Sequence, residues 1–269
     1  MKPGGLRLAA PWAPLALAAW VVIAAGSCTE INGAADHVAA IEFTQLPYPS
    51  VVSGDTLRDS LGVVAPIRAL LFNGNGEEIT GTEVQYIALD TGITISPTGI
   101  VRASRRSGQV PIVASTSVLQ TRAVNLIVAR RPDSAAFGGQ ARDTIDYELN
   151  ESSPSNNSAD LAVRVLTFDS TGGITTTQGW LVSYQTVFRG AVVPPGDTSS
   201  VFLLGAGSQR SNIDTTDATG TASRRLRLRP VGLTQSLVDS AFVTATIRYK
   251  GQPVRGSPLR FVILMRPKP

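Results

Sequence analysis

The strongest constraint on the fold is a rhythm of short apolar or β-branched runs broken by glycine, proline, asparagine and aspartate. VVAPIRALLFN, TEVQYIAL, GITISP, GIVRAS, VPIVAST and AVNLIVA succeed one another at intervals of roughly ten residues. Helical periodicity is almost absent. The expectation is an all-β chain whose antiparallel strands pack as a sandwich. Serine, threonine and glycine abound and lysine is scarce, the composition of an extracytoplasmic β protein. Turns belong where the runs break. NGNGEE at 73–78 offers Gly74 and Gly76 for positive φ, and FDSTGG at 168–173 offers Gly172 and Gly173.

The two halves repeat each other. Phe72 precedes a glycine-rich turn, then Ile79, then Gly81, Val84 and Tyr86; Phe168 precedes such a turn, then Ile174, then Gly179, Val182 and Tyr184. The spacing Gly-x-x-Val-x-Tyr is common to both, and a period of two puts Val and Tyr on one face of a strand. Each half closes on an apolar strand followed by Arg-Pro, LIVARRP and FVILMRP. RRPDSAAFGGQA at 130–141 has the composition of a junction, with a boundary near Pro132. Two tandem sandwiches are expected, over residues 38–131 and 132–269. A polar stretch, ELNESSPSNNSAD at 148–160, is too hydrophilic to pack and reads as a mobile loop or a connection between strands.

Residues 38–128 resemble a bacterial immunoglobulin-like domain, through VVSGDTLRDS, FNGNGEEITGTEVQY, GITISPTGIVRAS and GQVPIVAS. Tyr86 stands where that family usually has a tryptophan, and SLGVVAP is an added segment. The second half is similar to the immunoglobulin-like repeats of invasin and intimin-type adhesins, through FDSTGGITTTQGWLVSY and DTTDATGTASRRLRL. Its ending, RYKGQPVRGSPLRFVI, is also similar to the closing strands of filamin-type repeats. The resemblance implies fold rather than activity, because its motifs are turns and core positions.

At the N-terminus Lys2 and Arg7 precede an unbroken apolar run over residues 15–25. The run is well short of the ~20 residues of a spanning helix, and Pro11 and Pro14 bar its extension. A cleaved leader over residues 1–27 is expected. Ala25-Gly26-Ser27-Cys28 resembles the lipobox of bacterial lipoproteins, with Ala25 where the family most often has leucine. That resemblance implies a diacylglycerol on the Cys28 thiolate and a tether over residues 28–37. Thr29 is not the aspartate that signals inner-membrane retention in such lipoproteins, so the outer membrane is the expected location. Cys28 is the one cysteine, so no intramolecular disulfide can form. Loss of Lys2 and Arg7 leaves 22 of the 24 cations against 20 anions, too even a balance for a nucleic-acid partner.

His37 is the one histidine and lies in the tether, so neither a Ser-His-Asp nor a Cys-His arrangement can be built on a rigid scaffold. Zinc is excluded on the same ground. Asp214 and Asp217, ahead of Gly220, read either as a weak calcium site or as a turn into TASRRLRL. In that strand Arg225, Arg227 and Arg229 share one face while Leu226 and Leu228 point inward. The row suits acidic glycans or an anionic protein surface, and equally a solvated face that deters edge pairing. Trp180 and Tyr184 read as an exposed platform for a glycan or as core.

The expected protein is a lipid-anchored envelope component whose immunoglobulin-like domains act as non-catalytic spacer, adhesion or assembly modules, with no cofactor. Its partners would be the membrane, through Cys28, and envelope proteins or glycans. A surface carbohydrate-binding lipoprotein is the alternative.

Overall fold

A computed structural model of the chain describes residues 37–104, 107–234 and 237–269. The expected leader, Cys28 and the expected tether as far as residue 36 lie outside the described residues.

The described chain is all-β. Its N-terminal half holds β1 (Ala40–Phe43), β2 (Ser50–Val52), β3 (Ala69–Phe72), β4 (Glu78–Ile79), β5 (Gln85–Ala88), β6 (Ile93–Ile95), β7 (Val101–Ala103), β8 (Gly108–Ser115) and β9 (Val124–Ala129). Strands β1-β3-β4 form one sheet and β2-β9-β8-β5 another, with β6-β7 a separate hairpin. The incoming chain thus changes sheets. β1 runs antiparallel to β3, whereas β2 runs parallel to the closing strand β9.

The C-terminal half repeats this plan in β10 (Ser134–Phe137), β11 (Arg142–Tyr147), β12 (Leu161–Phe168), β13 (Ile174–Thr176), β14 (Leu181–Phe188), β15 (Ala191–Val193), β16 (Val201–Leu204), β17 (Ile213–Thr215), β18 (Thr221–Leu228), β19 (Asp239–Thr246), β20 (Arg248–Tyr249), β21 (Gln252–Pro253) and β22 (Leu259–Pro267). One sheet has the order β10-β12-β18-β16 with β13 on β12; the other has β11-β22-β19-β14-β15 with β17 on β14. β10 pairs antiparallel with β12, and β11 runs parallel to the last strand, β22. This sheet-switching first strand over two facing sheets is the immunoglobulin-like arrangement. Among the described residues no strand of one half pairs with a strand of the other. Pro132 lies between β9 and β10.

Alternation drives the packing. β12 buries Leu161, Val163 and Val165 while Arg164 faces water, and β22 buries Leu259, Phe261, Ile263 and Met265 while Arg260 and Arg266 face out. The N-terminal core is built from Leu57, Ile67, Val101, Ile112, Leu126 and Val128. Each such side chain contributes roughly 1.5–3 kcal/mol on burial. The repeated Val-x-Tyr falls on matching strands. Val182 and Tyr184 on β14 are buried, and Tyr86 on β5, with Val84 just before it, is half-buried.

One turn design recurs. Asn73 Oδ1 accepts from the N–H groups of Asn75 and Glu77, and Asp169 Oδ1 from those of Thr171 and Gly173. Asp59 and Asp217 do the same for the residues two and four places on. In each the third following residue is a glycine at positive φ: Gly62, Gly76, Gly172 and Gly220. Ser96 builds a close variant with Gly99. Only the second of the two glycines offered by NGNGEE, and the first of those in FDSTGG, adopts positive φ. Gly74 and Gly173 do not, because the side-chain cap fixes the left-handed position at the third residue.

The polar stretch 148–160 connects β11 to β12, but it packs, contrary to the expectation from its hydrophilicity. Asn156 is fully buried: its Oδ1 accepts from the Glu148 N–H at 2.8 Å, and its Nδ2 donates to the Glu148 and Asn150 carbonyls at 3.0 and 2.9 Å. Ser158 is buried too and exchanges hydrogen bonds with Leu226 of β18. Hydrogen bonding supplies here what apolar area supplies elsewhere.

Candidate functional site: the seam between the halves

Gly179 and Trp180, just before β14, sit against the N-terminal half. Gly179 has φ +74°, and a Cβ there would lie 2.7 Å from Ile127 Cδ1. Its carbonyl accepts from the buried Ser50 hydroxyl at 2.7 Å. The next peptide is held by Tyr48, whose phenolic oxygen accepts from the Leu181 N–H at 3.0 Å. The Trp180 ring lies 5.1 Å from that of Tyr48 and 6.1 Å from that of Tyr249, and its Nε1 donates to the Arg248 carbonyl at 3.1 Å. Tyr48 and Trp180 thereby join the two cores into one apolar cluster.

A second contact comes from the added segment SLGVVAP. Its Gly62 meets the turn between β20 and β21 backbone to backbone, and a Cβ on Gly251 would stand 2.6 Å from the Leu61 carbonyl oxygen. Nearby, Asp55 Oδ2 accepts from the Tyr249 hydroxyl and pairs with the Lys250 ammonium, both at 2.9 Å. Burial raises the Asp55 pKa, but Lys250, the Thr56 N–H, the Tyr249 hydroxyl and Arg58 outweigh it and hold the carboxyl well below the usual carboxylate range. The folded value lies under the unfolded one, so this stabilisation is complete above about pH 4 and is lost as the pH falls through the folded value. Asp55 pushes Lys250 up in turn. That contribution is complete below about pH 10 and is lost only as the pH rises through the raised value.

Trp180 and Tyr184 are both buried, so neither offers a flat face to a glycan. Trp180 serves the seam, and Tyr184 fills the C-terminal core. The arginine row shares one face as parity requires, but it is not free in water. Arg225 Nε donates to Asp160 at 2.6 Å; Arg227 Nη1 donates to the Ser153 carbonyl at 2.8 Å and Nη2 to the Glu151 carbonyl. Arg229 reaches the Thr198 carbonyl at 3.2 Å and the Glu151 carboxylate at 3.4 Å. The row fastens the 148–160 connection to β18.

Asp214 and Asp217 are separately engaged. Asp214 Oδ2 accepts from the Ser223 N–H and pairs with Arg224 Nη1 at 2.9 Å, while Asp217 caps its turn. The Thr219 hydroxyl and the backbone N–H groups of Thr221 and Thr219 hold the Asp217 carboxyl below its ordinary range. Arg224 itself is buried on the core side of β18, a residue that sequence reasoning passed over. Strand parity gives it away, because it is in phase with Leu226 and Leu228. A buried guanidinium needs partners, and the Ser211, Ser223 and Ile213 carbonyls complete the set that Asp214 begins. Tyr48, Asp55 and Lys250 were also passed over; the added SLGVVAP segment and the RYKG turn were their traces in the sequence.

No helix among the described residues is long and apolar enough to cross a membrane. No family model matches the chain, and no curated protein matches it. Among solved structures it is similar to domains 4 and 5 of the S-layer protein SbsC, at 10% identity and a TM-score of 0.30, over 86% of this chain and 99% of that one. It is similar also to the Yersinia pseudotuberculosis adhesin InvE, at 14% identity and a TM-score of 0.31, over 83% of this chain and 58% of that one. The D0-D1 domain of intimin aligns at 15% identity and a TM-score of 0.26, over 83% of this chain and 98% of that one.

Proposed function

We propose that this chain is a lipid-anchored cell-envelope protein in which two immunoglobulin-like modules, residues 38–131 and 132–269, form a stiff, non-catalytic spacer presenting surfaces for adhesion or assembly. The seam carries this reading. Two modules on a free linker would need neither a glycine pressed against Ile127 nor a tryptophan shared between cores, and both are present. A side chain that plugs one module into the next restricts their relative motion, the property a spacer requires. The anchor rests on Ala25-Gly26-Ser27-Cys28 and the apolar run ahead of it, and Thr29 favours the outer membrane.

Two measurements test the proposal. Fatty-acid labelling in cells should mark the wild type and leave Cys28→Ala unmarked; equal labelling would remove the anchor. Small-angle scattering of the mature protein should give one maximum dimension, equal to that calculated from the structure. A broad distribution of dimensions would remove the spacer.

A further inference from the structure

The matching strands β5 and β14 differ at their outer edges. That of β14 is covered, by β17 at residues 181–183 and by β15 at residues 186–188. β5 ends its sheet, and among the described residues no strand lies beyond it. The chain goes from β5 straight to the β6-β7 hairpin, with no strand folded back on the edge.

The ladder to β8 decides which backbone groups stay open. The Leu89 N–H donates to the Pro111 carbonyl at 2.9 Å, and the register sets Ile87 opposite Val113 and Gln85 opposite Ser115. Backbone groups alternate in direction along an antiparallel strand, so those of Gln85, Ile87 and Leu89 turn toward β8 and those of Tyr86 and Ala88 turn away. Among the described residues no backbone hydrogen bond takes up the N–H or carbonyl of Tyr86 or Ala88. Edge strands are commonly guarded by lysine, proline or a bulge. Gln85–Ala88 has none of these, and Ile87 and Leu89 are 42% and 55% exposed.

We infer that β5 pairs antiparallel with β5 of a second copy of this chain, about a two-fold axis at Ile87. The open groups are spaced for it. Tyr86 of each copy stands opposite Ala88 of the other, and each such pair exchanges both of its N–H to carbonyl bonds. Side chains agree with that register: on the core side the large Tyr86 meets the small Ala88, and on the outer face Ile87 meets Ile87 with Leu89 opposite Gln85. The flanking acids Glu83 and Asp90 fall opposite Thr91 and Val84, so no like charges face each other. A slip that opposed Tyr86 to Ile87 would also oppose Glu83 to Asp90 and put the open groups out of phase. A strand fills the matching edge in the C-terminal half, and this chain itself carries a strand complementary to the bare one. One short ladder makes a contact of the class that buries under about 1,200 Å² and associates weakly. The inference does not rest on the spacer reading, since a chain that stayed monomeric would leave the seam unaltered.

Sedimentation equilibrium of the mature protein carrying Cys28→Ala, which has neither a thiol nor a site for lipid, tests it. A reversible dimer should appear as the concentration rises. Ile87→Lys should weaken it about tenfold. Val231→Lys, the same kind of change at an exposed loop position, should leave it unaltered. In the same cysteine-free background Ile87→Cys should form a disulfide between copies under mild oxidation, because the axis brings the two positions to about 4.5 Å between Cα atoms. Gln85→Cys should not, since it stands opposite Leu89 and lies roughly 14 Å from its own counterpart, beyond the span of a disulfide. A monomer at every concentration up to about 1 mM, association undiminished in Ile87→Lys, or equal crosslinking of the two cysteine variants would each overturn the inference.

Discussion

A glycine at φ near +80° meets two different demands in this chain. Gly172, at φ +81°, has nothing within 4 Å of where a Cβ would stand, so its left-handed backbone is the whole of its requirement. Gly179, at φ +74°, carries the same requirement and in addition abuts Ile127 and Ser50. Gly172→Ala should therefore cost about 1 kcal/mol, the penalty of a left-handed L-residue. Gly179→Ala should cost about 2–3 kcal/mol, since strain and steric displacement fall on one residue. Urea denaturation of both variants reads the difference, and equal losses would show that the seam does not press on Gly179. The turns at 73–78 and 168–173 were legible from their glycines, but which glycine of each pair is left-handed is set by the Asn73 or Asp169 cap, which fixes the third residue on. The second demand on Gly179 was not legible, since Ile127 lies on the other side of the boundary in a strand whose neighbours give no sign of it.

β18 shows how far an alternating pattern can be read. Parity assigned Leu226 and Leu228 to the core and Arg225, Arg227 and Arg229 to the other face, and the strand spans TASRRLRL as that pattern requires. What parity cannot give is the company a side chain keeps. Hydropathy counts apolar atoms and ignores mutual hydrogen bonding, so it cannot foresee that the 148–160 connection packs. Arg227 makes two contacts to its carbonyls, so Arg227→Ala should loosen that segment first. A loss of about 1 kcal/mol would speed exchange of the Ser158 amide roughly fivefold by local opening, with smaller effects elsewhere. Arg225→Ala, which removes an exposed ion pair, should change exchange little. Unchanged exchange in Arg227→Ala would mean that the connection holds itself.

At the scale of the whole molecule, the spacing Gly-x-x-Val-x-Tyr falls on β5 and β14, which occupy matching places in the sheet orders β2-β9-β8-β5 and β11-β22-β19-β14. The joining of the halves was less visible. It depends on Tyr48, Asp55 and Lys250, which look like ordinary surface residues until the chain is folded, and on Trp180, which the sequence alone leaves open between a glycan platform and a core position.

The parallel pairing of first and last strands has a mechanical consequence. Tension applied between the two ends of the chain pulls β2 against β9 and β11 against β22 along their own axes, so each ladder is loaded in shear and its hydrogen bonds share the force. β11 and β22 match six residues, whereas β2 and β9 match three. The N-terminal half should therefore give way at the lower force and release the shorter length of chain. Single-molecule pulling should show two ruptures in that order, and the reverse order would mean that the seam, rather than the ladders, carries the load.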